Sequence, residues 1–257
     1  MKKIILRQKI AGQKNPKAAM IIIGDEILSG RTHDENLNFL ACILNETGVN
    51  LKEVRIIGDV EQEIIEAVNA MRKKYNYVFT SGGIGPTHDD ITSAAIAMAF
   101  NDQLVKNQDA LNLLRKYYGK VNVNEARLKM AFMPGKARLI SGDNIISPSG
   151  FYIENVFVLA GIPKIFRLGL DNIKKEIIGG KKTKTREIKI SLTESTIAGD
   201  FAKLQQKYSE VAMGSYPSDN STSLVFRSID YDILEQSVKE MIAILKKIKS
   251  DSIIAVN

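Results

Sequence analysis

Two short segments hold most of the side chains able to do chemistry, and they are built alike. The first, "GDEILSGRTHDEN" over 24–36, places Asp25 and Glu26 directly after a glycine and follows them with Asp34 and Asn36. The second, "TSGGIGPTHDDIT" over 80–92, sets Gly82, Gly83 and Gly85 between Ser81 and Thr87 and then runs through His88 to Asp89 and Asp90. Glycines after a strand let the backbone come close to a ligand. Their inward N–H groups, together with the positive end of a following helix, suit a phosphate. Two carboxylates beside such a nest repel that phosphate unless a divalent cation lies between them or one carboxylate turns away. Ions of the magnesium type bridge one or two carboxylates to substrate phosphates. A plainer alternative stays open: Asp89 or Asp90 caps the next helix by accepting from N–H groups near residues 92 and 93, and Asp34 caps the helix behind it.

The spacing departs from the common nucleotide motifs. No Gly-Lys-Ser/Thr follows the glycines, and the run lacks the Gly-x-Gly-x-x-Gly pattern with an acid about 20 residues on. The two histidines, His33 and His88, fall one in each acidic segment, which leaves open a lining role for at least one. Cys42 is alone, so an internal disulfide is excluded, and no Cys/His cluster has zinc spacing. Lying among Leu37, Leu40, Ile43 and Leu44, Cys42 is expected to be a small buried hydrophobe.

The elements that position these loops alternate between short apolar runs and helical patterns, the rhythm of a layered α/β domain. Ala18–Ile23 reads as a buried strand leading into a turn at Gly24-Asp25-Glu26. Residues 35–45 read as a helix stopped by Gly48, 51–57 as a strand, and 62–74 as a helix with the stripe Ile64, Ile65, Val68 and Met71. A short strand at 77–80 delivers the glycine loop, and a helix follows from about 91 to 100. If the strands are parallel neighbours, both acidic loops open into one crevice, because ligands of open α/β sheets collect at the carboxyl ends of strands. Helices are expected at 108–118, 124–131 and 163–178, with a break at Pro134-Gly135 and a hairpin over 145–159 turning at Pro148-Ser149-Gly150. "GGKKTKTR", 179–186, reads as a linker. Beyond it the order strand (187–192), helix (196–208), strand (211–215), strand (223–228), helix (231–249) describes a small α+β unit.

The 257 residues, 44% hydrophobic and 25% charged, can bury a sizeable core. Their apolar runs are too short to span a bilayer, which favours a soluble, cytoplasmic protein without a membrane partner. Of the net +7, six charges come from Lys2, Lys3, Arg7, Lys9, Lys14 and Lys17 in an N-terminal arm over 1–17 that has no acid. The rest is nearly neutral, so a solvated tail is the simpler reading and a nucleic-acid partner is disfavoured. The apolar stretch in the arm is too short for a secretory signal, and the absence of Ser argues against a transit peptide.

Taken together, the two quoted segments resemble the MoaB/Mog-type molybdopterin-binding domain. The likeness is to the version at the N-terminal part of competence/damage-inducible protein A and of eukaryotic FAD synthases, and it spans about 18–178. The resemblance implies an α/β fold, a three-layer α/β/α sandwich, followed by a small α+β connector domain over 185–257. It further implies a phosphate loop at Gly82, Gly83 and Gly85 with Ser81 and Thr87 as donors, and places Asp90 in the acidic element that serves adenylylation or metal insertion in relatives. Asp25 and Glu26 match the "GDE" element. By the same likeness the chain is expected to be a hydrolase. It would cleave ADP-ribose or FAD-type pyrophosphates with a divalent metal ion (Mg, Mn or Co) held by Asp25, Glu26 and Asp90, and with Asp89 beside them. A non-catalytic carrier of molybdopterin, or of its adenylylated form, is the alternative. The partner is then a small-molecule nucleotide or pterin, in a homo-oligomer with a dimer favoured. Two departures stand out: "ISPSGF" at 146–151, and "AGIPKIF" at 160–166, where Ile165 replaces a carboxylate. The connector lacks the Gly-x-x-Gly loop of RNA-binding KH units, and neither a deamidase nor an adenylyltransferase domain has a counterpart here, so neither activity is expected.

Overall fold

The computed structural model describes residues 15–142 and 147–257. The basic arm through residue 14, and Ile145 and Ile146 of the expected hairpin and altered segment, lie outside the described residues. The chain divides into two units after Gly180.

The first unit is built on a six-stranded sheet of order β2-β1-β3-β8-β7-β6. Its strands are β1 (Lys17–Ile23), β2 (Asn50–Ile57), β3 (Tyr77–Ser81), β6 (Arg138–Leu139), β7 (Gly150–Ile153) and β8 (Val156–Leu159). The two remaining strands, β4 (Leu104–Lys106) and β5 (Phe132–Pro134), pair with each other. β2, β1, β3 and β8 run parallel, with Ile23 beside Ile57, Ile22 beside Ser81 and Ser81 beside Leu159. Residues 18–23 and all of β3 and β8 are buried, as expected of central parallel strands covered on both faces.

Helices cover both faces. On one lie α2 (Asn36–Thr47) and α7 (Pro163–Ile173), packed on Met20, Phe79 and Phe157; on the other lie α3 (Glu61–Lys74), α4 (Thr92–Ala99) and α5 (Gln108–Tyr118), packed on Ile21, Val78 and Val158. The short α1 (Asp25–Leu28) and α6 (Glu125–Lys129) complete the unit. This is the expected three-layer α/β/α sandwich. Each helix carries its own reasons: Glu61 and Glu63 in the first turn of α3 and Arg72, Lys73 and Lys74 in its last complement the helix dipole. Asn107 caps α5 by accepting from the Ala110 N–H at 2.9 Å.

The second unit holds β9 (Lys184–Ile190), α8 (Glu194–Lys207), β10 (Ala212–Ser218), β11 (Ser221–Ser228), α9 (Tyr231–Ile248) and β12 (Ile253–Val256). Its antiparallel sheet of order β10-β11-β9-β12 buries Ile188, Ile190, Leu224 and Phe226 against Leu234, Val238, Met241 and Leu245 of α9. No helix among the described residues is long and apolar enough to cross a membrane.

Several local expectations need correction. Cys42 is exposed: α2 buries Leu40, Ile43 and Leu44, and Cys42, two residues from both leucines, falls about 200° away from them on the helix. The hairpin turns at Glu154-Asn155, not at 148–150. Glu154 takes a left-handed φ of 51°, and the Asn155 side-chain amide donates to the carbonyls of Arg72 and Tyr75 at 3.0 and 2.9 Å, tying the turn to the end of α3. Gly24 is followed by a helical turn rather than an open corner, and residues 184–186 of the expected linker are strand, paired with β11. Strands β4, β5, β6 and β12 were not expected; at two to four residues each they carry almost no periodicity.

β2 is an edge strand with Val54 and Ile56 partly exposed, and a polar cluster pins it to α3. Glu53 accepts from Lys74 Nζ at 2.7 Å, from the Tyr75 hydroxyl and from Arg55 Nε at 2.9 Å. Lys74, then Tyr75 and Arg55, hold its carboxyl down from 4.5 to about 2. A lowered folded-state pKa gives stability that is present above 4.5 and is lost as pH falls toward 2. Glu53→Gln is therefore expected to melt below the wild type at pH 6, with the gap closing as the pH is taken down through that window. Thermal unfolding followed by circular dichroism checks this, and a gap that holds constant with pH contradicts it.

Candidate functional site

Because β2, β1, β3 and β8 are parallel and adjacent, their carboxyl ends reach the same edge of the sheet. Four turns therefore leave together: Gly24 after β1, Gly58 after β2, Gly82 after β3 and Gly161 beyond β8. The Gly24 N–H donates to Ile57 O at 3.1 Å, and the Gly82 N–H to Leu159 O at 3.1 Å. A Cβ on Gly82 would lie 2.1 Å from Ile23 O, so the diglycine bend sits directly against the end of β1. The two acidic loops read from the sequence thus leave the sheet side by side at one edge.

Buried beneath this edge is Asn36. It is 2% exposed, and its side-chain amide donates to Ser81 Oγ at 2.8 Å and to Gly161 O at 2.7 Å. One residue at the start of α2 thereby joins the end of β3 to the turn before α7. Asp34 acts as the alternative reading allowed: its Oδ1 accepts from the Leu37 N–H at 2.8 Å at the start of α2.

The glycine loop is held from within. Gly82 and Gly83 take φ of 108° and 67°, and a Cβ on Gly83 would fall 2.1 Å from Thr92 Oγ1. Both positions therefore need glycine. Asp90 does not cap the helix, and neither does Asp89: α4 starts after Ile91 with no side-chain cap. Instead the Asp90 carboxylate accepts from the Gly85 N–H at 2.7 Å, the Thr87 N–H at 2.7 Å and the Thr87 hydroxyl. The expectation that these amides point at a ligand is corrected: Asp90 is the anion in that part of the nest. The Thr92 N–H closes the loop on Gly83 O at 2.9 Å.

The remaining acids face outward. Asp25, Glu26 and Asp89 are exposed, as are His33 and His88. Asp25 Oδ1 lies 2.5 Å from where a Cβ on Gly58 would stand. Asp59, a residue the sequence reading passed over, joins them: its Oδ2 accepts from the Asp25 N–H at 3.0 Å. Burial raises the Asp59 carboxyl above its ordinary value, the Asp25 N–H opposes this, and the charges of Asp25, Glu26 and Asp89 add to the rise. Asp89 moves the other way, lowered first by the Thr87 hydroxyl and more weakly by His88 and Lys129. The signal for Asp59 was present in "IIGDV", 56–60, a strand ending in Gly-Asp like the Gly24-Asp25 corner. Lys129, whose ammonium donates to Thr87 O, was also missed; it lies 39 residues beyond the loop, at the end of a short helix.

Among the described residues no three His, Cys, Asp or Glu side chains form a ready-made metal cage. The donor set is nonetheless all carboxylate oxygen and electrostatically crowded. That suits a hard divalent cation completed by ligand phosphates rather than one enclosed by protein.

Comparison with known proteins agrees with this architecture. Residues 19–179 match the model of a probable molybdopterin binding domain, and 182–254 match that of the FAD synthase middle domain. A protein of Pyrococcus abyssi is 30% identical over 242 residues, covering 88% of this chain and 95% of its own. A probable FAD synthase of Caenorhabditis briggsae is 32% identical over 225 residues, covering 78% of this chain but 43% of that protein, so this chain matches less than half the length of that relative. The crystal structure of the protein CinA, of unknown function, from Thermoplasma acidophilum superposes with a TM-score of 0.59 at 31% identity, covering 64% of this chain and 99% of that one. Fold and sequence agree that this chain belongs to the probable molybdopterin binding domain family, in the form that carries an FAD synthase middle domain behind it.

Proposed function

We propose that this edge of the sheet binds a pyrophosphate-bearing nucleotide of the ADP-ribose or FAD type and hydrolyses it with a divalent metal ion, Mg, Mn or Co. The geometry that carries this reading is the convergence of the ends of β1, β2 and β3, where the half-buried Asp59 accepts from the Asp25 N–H at 3.0 Å with Glu26 and Asp89 near enough to act on it. Such a crowd of negative charge is costly unless a cation offsets it. Asp25 and Asp59 are the residues that would hold the ion together with the ligand phosphates, with Asp90 behind them keeping the glycine loop in shape. When bound, the ion would polarise a phosphoryl oxygen and neutralise charge on the diphosphate. The chain's own residues would do the rest. Asp59 would keep Oδ2 on the Asp25 N–H and turn Oδ1 to the ion, and the exposed Asp89 would orient a water and take its proton. Asn36 would keep Ser81 and the Gly161 turn in register around the ligand.

A second reading, a carrier of molybdopterin or its adenylylated form, has one observation in its favour. Ile165, half-buried in the first turn of α7, puts an apolar side chain where the resemblance implies a carboxylate. The nucleotidyl transfer named for the FAD synthase relative is not part of either reading, since more than half of that protein lies outside the match.

Incubation of the purified protein with ADP-ribose or FAD and each metal should release AMP. Release of none under any metal ends the hydrolase reading, and calorimetry showing tight pterin binding without turnover favours the carrier. Asp59→Asn should lower turnover by at least about 100-fold. The same variant should also melt higher at neutral pH. A raised folded-state carboxyl favours the protonated form, so its contribution is present below 3.8 and is lost as pH rises through the folded value, leaving an unfavourable charge that asparagine removes. Equal melting temperatures at pH 7 would mean that the crowding of Asp59 is not felt in solution.

A further inference from the structure

Lys129 closes α6, whose first turn is capped by Asn124 Oδ1 accepting from the Arg127 N–H at 3.0 Å. Its neighbours Leu128 and Met130 pack against the core of the first unit, so the lysine backbone is braced on both sides. From there the ammonium reaches the glycine loop and donates to the Thr87 carbonyl oxygen. Its charge is also felt by Asp89.

A brace for the loop would need only one of the three donors of an ammonium. Among the described residues Lys129 takes part in no ion pair, although Asp89, one of the acids acting on Asp59, is near enough to feel its charge. The loop amides that would ordinarily receive an anion, those of Gly85 and Thr87, are already taken by Asp90. A diphosphate entering here meets four carboxylates and finds the Gly85 and Thr87 amides taken, so a positive charge from the chain would add to that of the ion in holding it.

We propose that Lys129 is the phosphate-binding cation of this site, anchored through one N–H on Thr87 O and offering the others to the diphosphate of the nucleotide. This rests on the nucleotide reading above. Because the anchor passes through Thr87, Lys129 also couples ligand binding to the set of the loop: Thr87 donates to the same Asp90 that holds Gly85.

Calorimetric titration of ADP with magnesium into wild type, Lys129→Gln and Lys129→Arg, at low and high salt, tests this. Gln keeps a donor for Thr87 O but no charge, whereas Arg keeps both. Lys129→Gln should bind ADP about tenfold more weakly with a flatter dependence on salt, and Lys129→Arg should stay near wild type. Wild-type affinity and salt dependence in Lys129→Gln would reduce the lysine to a brace and overturn the proposal. Equal losses in both variants would overturn it as well, since they would report a disturbed loop. If wild type itself binds no ADP, the nucleotide reading falls and this one with it; wild-type binding matched by Lys129→Gln removes only the role of the lysine.

Discussion

The site depends on one geometric constraint: β2, β1, β3 and β8 are parallel, so the chain must leave the sheet four times at the same edge. Helices return the chain to the opposite end before β2 and β3, and the antiparallel β7 returns it before β8, so the polar turns are gathered in one place. The gathering has an electrostatic cost. Asp59, the most enclosed of the acids, is raised first by burial and then by the charges of Asp25, Glu26 and Asp89. Crowded carboxylates with a raised member mark a candidate functional site.

The glycine loop shows how the same edge avoids collapsing under its own charge. Asp90 turns inward and is satisfied by two amides and a hydroxyl, so one of the five acids becomes part of the scaffold. Gly82 and Gly83 make room for this by taking left-handed backbone angles against Ile23 O and Thr92 Oγ1. Asn36 locks the loop's first residue, through Ser81, to the turn before α7. The result separates an internally bonded loop from the outward-facing acids, with the Lys129 ammonium set on the loop through Thr87 O.

Much of this layout is legible in the amino-acid order, for identifiable reasons. Buried parallel strands such as β1 and β3 are continuous apolar runs bounded by Gly and Asp, and long helices such as α3 and α9 repeat their apolar positions at helical spacing, so both kinds of element stand out. The shared edge follows from that pattern. The role of Asp90 was not legible, because an aspartate before a helix reads as a cap and only the fold of the loop turns it toward Gly85 and Thr87. Asp59 and Lys129 were missed since each is a lone charged residue whose partners, Asp25 and Thr87, are distant in sequence. Cys42 misled because its neighbours are apolar while its own angular position on α2 is not toward the core. The hairpin turn misled because Pro148-Ser149-Gly150 has stronger turn chemistry than Glu154-Asn155, yet the Asn155 contacts with the end of α3 decide where the chain reverses.

The central claim is that the acidic edge is completed by a divalent cation shared with a bound diphosphate. The most direct measurement is a crystal soaked with ADP-ribose and manganese, with data collected at a wavelength that reveals the ion. The account predicts an anomalous peak between the ligand phosphates and the Asp25 and Asp59 carboxylates, with the diphosphate also against Lys129. A nucleotide bound at this edge with no ion beside those aspartates, or an ion bound elsewhere on the molecule, would contradict it.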